Sequence, residues 1–411
     1  MASLPAEAGP APYVPGSRSA SRPRRTRHSD WVVWWREIDR VLLVLVLILM
    51  GIGAVAVAAS SPASARRLST AKEHLSDLHF FWLQLKWQAA GLVAMIAASR
   101  LSRENARRLG ILLGFAMLGG LMLVPIVGST VNGAKRWLHF GVSLQPSEFL
   151  KPAFAITLAW ILSWRLRDPK MPVLWICTGI MALVGGLLML QPDFGSTVLF
   201  AGVWFVMMVM AGLPPRIIFG LIGAVPMLLG LVYAFYENGR HRIDAFLGGG
   251  SSFDQVDLAH RTLVAGGWTG TGLWLGTRKL GLPEAHTDYI FSVVGEEFGL
   301  WMCAFIIIVY FVLVARVLVR LGQEDDLFAV LAGGGLIAQL GGQAFINILV
   351  NLQLFPSKGM TLPLISYGGS STLALCLTVG FLLAITRRNP YLKADPFTPK
   401  GALPTIMSLF K

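Results

Sequence analysis

Ten apolar stretches of membrane-spanning length fix the fold class of this 411-residue chain. They fall at about 41–60, 79–99, 109–127, 148–164, 172–190, 195–212, 216–235, 288–318, 327–350 and 363–385. A bilayer takes ~20 apolar residues per helix and admits only elements that satisfy their own backbone hydrogen bonds. The chain therefore reads as an all-α polytopic membrane protein with ten transmembrane helices. With 55% hydrophobic and 14% charged residues it is too apolar for a soluble enzyme. Cys177, Cys303 and Cys376 stand singly in apolar runs, without disulfide or metal spacing.

The net charge of +13 is unevenly placed. If the tail holding Arg22, Arg24, Arg25 and Arg27 is cytoplasmic, every short inner loop is basic, as the positive-inside rule demands. Beside a membrane domain these arginines point to orientation and not to nucleic acid. An even number of spans then makes both termini cytoplasmic. Three regions follow: a disordered basic tail over 1–35, a membrane domain over 36–390, and a cytoplasmic tail over 391–411. The membrane domain has a large extracytoplasmic loop, 236–287, between spans seven and eight.

The outer side carries cations that the same rule disfavours, among them Lys135, Arg136, Arg242, Lys279 and Lys358. An anionic substrate explains them, and so does pairing with the loop acids. Polar blocks interrupt the spans on that side: Asn132–Trp137 with Gln145–Lys151, then Gln191–Ser196, Leu282–Gly299 and Pro356–Ser371. The third block sets Glu284, His286, Asp288, Glu296 and Glu297 at the mouth of a span, where ionisable groups mark function by default. Irregular backbone at membrane depth survives only against protein or a cavity, so four blocks on one face suggest one shared cavity. No phosphate loop, dinucleotide fingerprint, histidine metal pair or nucleophile elbow accompanies them.

These blocks, in this order, resemble the SEDS family (shape, elongation, division and sporulation). Pro283-Glu284-Ala285-His286-Thr287-Asp288 and Ile365-Ser366-Tyr367-Gly368-Gly369-Ser370-Ser371 carry the likeness. Phe194 and the basic N-terminal extension are more similar to its division member than to its elongation member. The resemblance implies a peptidoglycan glycosyltransferase that polymerises lipid II at the outer face of the bacterial inner membrane, at the division septum. It implies Asp288 as catalytic residue, and as partner a class B penicillin-binding protein (an FtsI-like transpeptidase) with other division proteins. A carboxylate can take the proton of the attacking sugar hydroxyl, while cations or a divalent ion (Mg or Mn) steady the leaving pyrophosphate.

Lys135, Arg136 and Lys358 are the chosen pyrophosphate contacts, with Arg242, Lys279, Gln255, His286, Ser370 and Ser371 completing the substrate set. Ser370 and Ser371 could instead cap the tenth span. Glu148, Lys151, Asp193, Glu296 and Glu297 are read as supports. Asp193 caps the sixth span and Glu148 locks a turn at the cavity rim. Glu296 and Glu297 bond polar groups such as Gln343 or Asn347, on a helix running unbroken from Asp288. The rival function is a lipid II transporter, against which no inverted repeat is evident.

Overall fold

The computed structural model describes residues 27–387, apart from 70–73, 132–133, 140, 142, 167, 169, 245, 248–254 and 357–358. Lys358, the Gly248–Ser252 run, the first 26 residues and the tail 391–411 lie outside the described residues. Helices follow one another as α1 (Arg27–Glu37), α2 (Arg40–Leu68), α3 (His79–Ser99) and α4 (Arg103–Val127). After a small sheet come α5 (Pro146–Ser163), α6 (Val173–Leu190), α7 (Phe194–Met210) and α8 (Pro215–Phe235). Then α9 (Glu237–Asp244) and α10 (Gln255–Ala265) precede α11 (Ile290–Leu321), α12 (Leu327–Asn351) and α13 (Gly369–Ile385).

Seven of these, α2, α3, α4, α6, α8, α11 and α12, are long and apolar enough to cross a membrane. Helices α7 and α13 are apolar but only 17 residues long. Helix α5 carries Glu148 and Lys151 in its first turns. Each of the ten expected stretches thus contains a helix, though three fall short of a conventional span.

Charge fixes one end of the bundle. Asp39 caps α2 through the amides of Val41 and Leu42 and binds Arg316 (3.0 Å) and Arg320 (2.7 Å) near the end of α11. Arg103 at the start of α4 forks onto Glu324 with two 2.9 Å bonds, and Arg387 reaches Glu37 at 3.1 Å. A two-pronged guanidinium–carboxylate pair is directional as well as strong, so it sets helix ends in register.

The structure departs from the sequence reading in four places. Residues 27–37 are helical and not wholly disordered, because Trp34 is buried and donates to Ser99 Oγ at 3.1 Å. The loop after α4 forms a three-stranded antiparallel sheet, β1 (Ser129–Val131), β2 (Ala134–His139) and β3 (Ser143–Leu144), in that order. Residues 363–368, read as the start of the last span, are an irregular segment inside the bundle with Leu364 and Ile365 fully buried. It approaches α2 so closely that a Cβ on Gly53 would lie 2.7 Å from the Leu364 and Ile365 carbonyl oxygens. That glycine lies about 20 Å of helix rise beyond Arg40, so the segment packs against the middle of α2.

The fourth departure is a break in α11 at Gly299, whose φ of 80° is open to glycine but strained for other residues. The Glu296 and Glu297 carbonyls accept from the Thr271 amide (2.9 Å) and the Gly272 amide (3.0 Å). The Leu300 amide donates to the Gly267 carbonyl at 3.0 Å. Loop 266–272 therefore plugs the broken ladder and satisfies what the break exposes.

Candidate active site

The site begins with a turn. Pro283 precedes Glu284, which adopts φ 51° and accepts the Thr287 amide (3.1 Å) on its carbonyl and the Thr287 hydroxyl (2.7 Å) on its carboxylate. This folds His286-Thr287-Asp288 across the mouth of α11. Three consecutive main-chain carbonyls are then fastened from other elements. His286 O accepts the Tyr367 amide (2.9 Å) and Thr287 O the Ser366 hydroxyl (2.6 Å). Asp288 O accepts the side-chain amides of Asn347 (2.8 Å) and Asn351 (3.3 Å) from α12. The two sequence blocks that are far apart in the chain are thus one hydrogen-bonded unit.

Asp288 as a residue is half-buried. Burial, then the neighbouring Glu284 charge, pushes it up to about 8, against the downward pull of Arg136 and Arg242. A Cβ on Gly359 would lie 3.5 Å from Asp288 Oδ2 and 3.8 Å from Arg136 Nη1, so glycine leaves the space between acid and guanidinium open.

Arg136 reaches this point from β2. Its Nε donates to the Gln191 carbonyl at 3.1 Å, one Nη donates to the Pro192 carbonyl, and the other lies 4.0 Å from Asp193. The guanidinium therefore staples the sheet to the turn before α7 and points its remaining nitrogen towards Asp193 and the space beside Asp288. Asp193 caps α7 through the Ser196 amide at 3.1 Å, as expected from its position. Lys135, the next residue on the strand, alternates to the opposite face and is exposed, so it does not join Arg136 beside Asp288. Arg136→Ala should lower both stability, by about 1–3 kcal/mol for the orphaned carbonyls, and polymerising activity. Arg136→Lys restores the charge but not the fork. Thermal melts and lipid II turnover of the two variants separate the two roles.

Several other expected residues are placed differently. Lys279 is buried, paired with Glu297 and bonded to the Ala59 carbonyl at 2.9 Å, so its charge is spent inside the protein. Glu296 and Glu297 support structure, but with other partners than Gln343 and Asn347. Glu296 accepts the amides of Arg278 (2.7 Å) and Lys279 (2.9 Å), while Glu297 holds the Trp274 and Gly276 amides beside Lys279. The expectation failed because the acids face loop 274–279 and not α12.

Glu148, in the first turn of α5, pairs with Lys151 at 2.7 Å, and Lys151 also donates to Gln343 at 3.1 Å. Ser371 Oγ reaches Glu148 and Thr361, both at 3.0 Å, while the buried Ser370 Oγ has no bond among the described residues. Neither caps α13, whose N-cap is Gly368. His286 is wedged against Phe80 (4.3 Å) and Tyr367 (5.5 Å), and burial lowers its pKa to about 4 despite Glu284, leaving a neutral ring. Gln255 begins α10 and is exposed.

Asn351 and Ser366 were not singled out from the sequence. The signal was present: Gln339, Gln343, Asn347 and Asn351 recur every four residues along apolar α12. Among the described residues no three His, Cys, Asp or Glu side chains stand close enough to hold a metal ion.

The family model described as cell cycle protein, FtsW/RodA/SpoVE, matches residues 39–391. A probable peptidoglycan glycosyltransferase FtsW from Caulobacter vibrioides is 36% identical over 372 residues, 89% of this chain and 93% of that one. One of the same name from Legionella pneumophila is 35% identical, over 80% of this chain and 86% of its own. Among solved structures, a chain from a peptidoglycan synthase complex superposes with a TM-score of 0.69 at 26% identity, covering 86% of this chain and 98% of that one. The rod shape determining protein RodA of Thermus thermophilus gives 0.63 at 26% identity, over 87% and 99%. With the Pro283–Asp288 turn fastened to the Ser366–Tyr367 segment in a matching helical bundle, the chain belongs to the FtsW/RodA/SpoVE family of cell cycle proteins.

Proposed function

We propose that this chain is a peptidoglycan glycosyltransferase that polymerises lipid II at the outer face of the bacterial inner membrane during septal wall synthesis. The observation that carries the reading is Asp288, a positioned carboxyl raised to about 8 beside the guanidinium of Arg136. A general base works best with a pKa near the working pH. In the proposed step the carboxylate accepts the proton of the acceptor sugar hydroxyl as its oxygen bonds to the donor's anomeric carbon. The bond from that carbon to the pyrophosphate oxygen breaks, and the positive charge of Arg136, beside Asp288, offsets the departing negative charge. No step here uses a metal ion.

Membrane depth supports the same assignment. Asn347 lies about 30 Å of helix rise from the start of α12, close to the ~30 Å hydrocarbon thickness of a bilayer. With the arginine-rich end cytoplasmic and the ten helices as spans, Asp288 stands at outer headgroup level, where a lipid-linked pyrophosphate would lie. Ten spans return both termini to the cytoplasm. Polymer formed from lipid II by the pure protein and its transpeptidase partner tests the reading. Flipping without polymer would favour the transporter, and neither would favour a scaffold.

Two further results are expected. In a pH series kcat/KM should rise as pH passes through about 8, because the base form of Asp288 is the deprotonated one. A profile flat across that range would remove Asp288 as the base. The partner's single span should pack on α11 and α12, where Trp301, Phe305, Phe311 and Phe345 are exposed. Cysteines at Phe305, Phe311 and Ile346 should crosslink to that span, and crosslinks confined to α2 or α7 would exclude this face.

A further inference from the structure

Helices α2 and α11 pack together but leave a slot between them. Ile48, Gly51 and Val55 of α2 and Val294, Phe298 and Met302 of α11 line an apolar cavity of about 300 Å³. It opens outward past the exposed Ile48 and Val55. The slot spans about 12–24 Å of helix rise beyond Arg40, mostly in the half of a ~30 Å hydrocarbon layer nearer Asp288. Gly51 leaves room in it, because a Cβ there would meet nothing within 4 Å. A polar rim stands at its outer end. One turn beyond Val55, the Ala58 carbonyl accepts the Trp274 indole N–H (3.1 Å) and the Ala59 carbonyl accepts the Lys279 ammonium (2.9 Å). Between these two anchors the Glu296 carboxylate holds the Arg278 main-chain amide at 2.7 Å. Arg278 is exposed, and its guanidinium has no partner among the described residues.

The reaction selects the occupant, because polymerisation joins two lipid-linked substrates and one pyrophosphate position serves only one of them. In the step above, Arg136 meets the donor's departing pyrophosphate while Asp288 takes a proton from the acceptor's terminal sugar. The acceptor's own pyrophosphate then lies a disaccharide away from Asp288, and its polyprenyl chain needs an apolar bed beneath it. Glu296, which positions Arg278, is about 9 Å of rise down α11 from Ile290, close behind Asp288. An unpaired arginine above a hydrocarbon slot matches both halves of such a lipid. We propose, on the polymerase reading above, that the slot between α2 and α11 seats the polyprenyl chain of the acceptor lipid II and that Arg278 binds its pyrophosphate. The slot takes the part of the chain next to the pyrophosphate and leaves the remainder in the bilayer. Trp274, exposed and held by Ala58, lies at the boundary between the two halves, where tryptophan is favoured.

The test uses the full-length Asp288→Asn protein with its transpeptidase partner in phosphatidylcholine nanodiscs, so that substrate binds without turnover. Lipid II carrying a diazirine near the pyrophosphate end of its polyprenyl chain is photolysed there, and the labelled peptides are identified by mass spectrometry. Label should fall within 48–56 and 294–302 and be displaced by unmodified lipid II. It should drop about tenfold on adding Arg278→Gln or Gly51→Phe, which remove the phosphate contact and fill the slot. Both variants should melt with the parent, since Glu296 holds the Arg278 main chain and Gly51 has open space around it. In the protein with Asp288 intact, both should raise KM for lipid II about tenfold with a smaller effect on kcat. Label absent from both segments, or displaced equally by phosphatidylglycerol, would overturn the proposal. So would label displaced by lipid-linked polymer in place of lipid II, which assigns the slot to the donor. None of these outcomes needs polymer to form, so they stand apart from failure of the polymerase reading, which the unaltered protein would show by making none.

Discussion

Asp288→Asn should cut lipid II polymerisation by ~10²-fold or more while the bundle stays folded. The substitution keeps the side chain's size, and it spares the anchors, because Asn347 and Asn351 hold the main-chain carbonyl and not the carboxyl. Stability should if anything improve at neutral pH. In the folded protein the carboxyl holds its proton up to about 8, against 3.8 normally. Between about 4 and 8 the folded state therefore binds more protons than the unfolded one, and the Asp288 contribution to stability is lost as pH rises through that window. Asparagine has no charge to bury and escapes that loss. Thermal melts at pH 5 and pH 8 beside a polymerisation assay check both halves. Normal turnover by the Asp288→Asn protein would refute the catalytic assignment.

The second large effect is expected from Glu297→Ala. Glu297 is buried and paired with Lys279, whose ammonium is itself 3% exposed. Removing the carboxylate leaves that charge with only the Ala59 carbonyl and frees the Trp274 and Gly276 amides. Breaking a buried pair from one side costs about 3–5 kcal/mol, whereas replacing both partners by groups of similar volume costs far less. The double change Lys279→Met with Glu297→Gln should therefore melt well above Glu297→Ala. Loop 266–279 plugs the break at Gly299, and the short outer piece of α11 that begins at Ile290 leads directly from Asp288. Loosening the loop should thus lower activity together with stability, and proteolysis within 267–280 should accelerate. If Glu297→Ala melts with the unaltered protein, the clamp does not hold the loop.

Some of this protein was written in the sequence in a form that needs no partner. Apolar length alone located the ten helical stretches, because lipid requires each span to satisfy its own backbone. Asp193 was legible as a cap for the same reason, since capping is settled within three residues. The Pro283–Asp288 and Ile365–Ser371 blocks were visible as the polar interruptions that carry the site. That they share one face was legible too, but the bonds that join them were not, since Tyr367 bonding His286 depends on the packing of α3, α11, α12 and α13. The tertiary structure also decided which charges are free. Lys279 and Arg136 look alike in a sequence, yet one is buried against Glu297 and the other, only part-buried, lies 4.0 Å from Asp193 and reaches the space beside Asp288. The break at Gly299 is likewise a tertiary choice. A glycine permits a left-handed backbone without requiring it, and here the inserted loop, which bonds the carbonyls of Glu296 and Glu297, makes the break the lower-energy state.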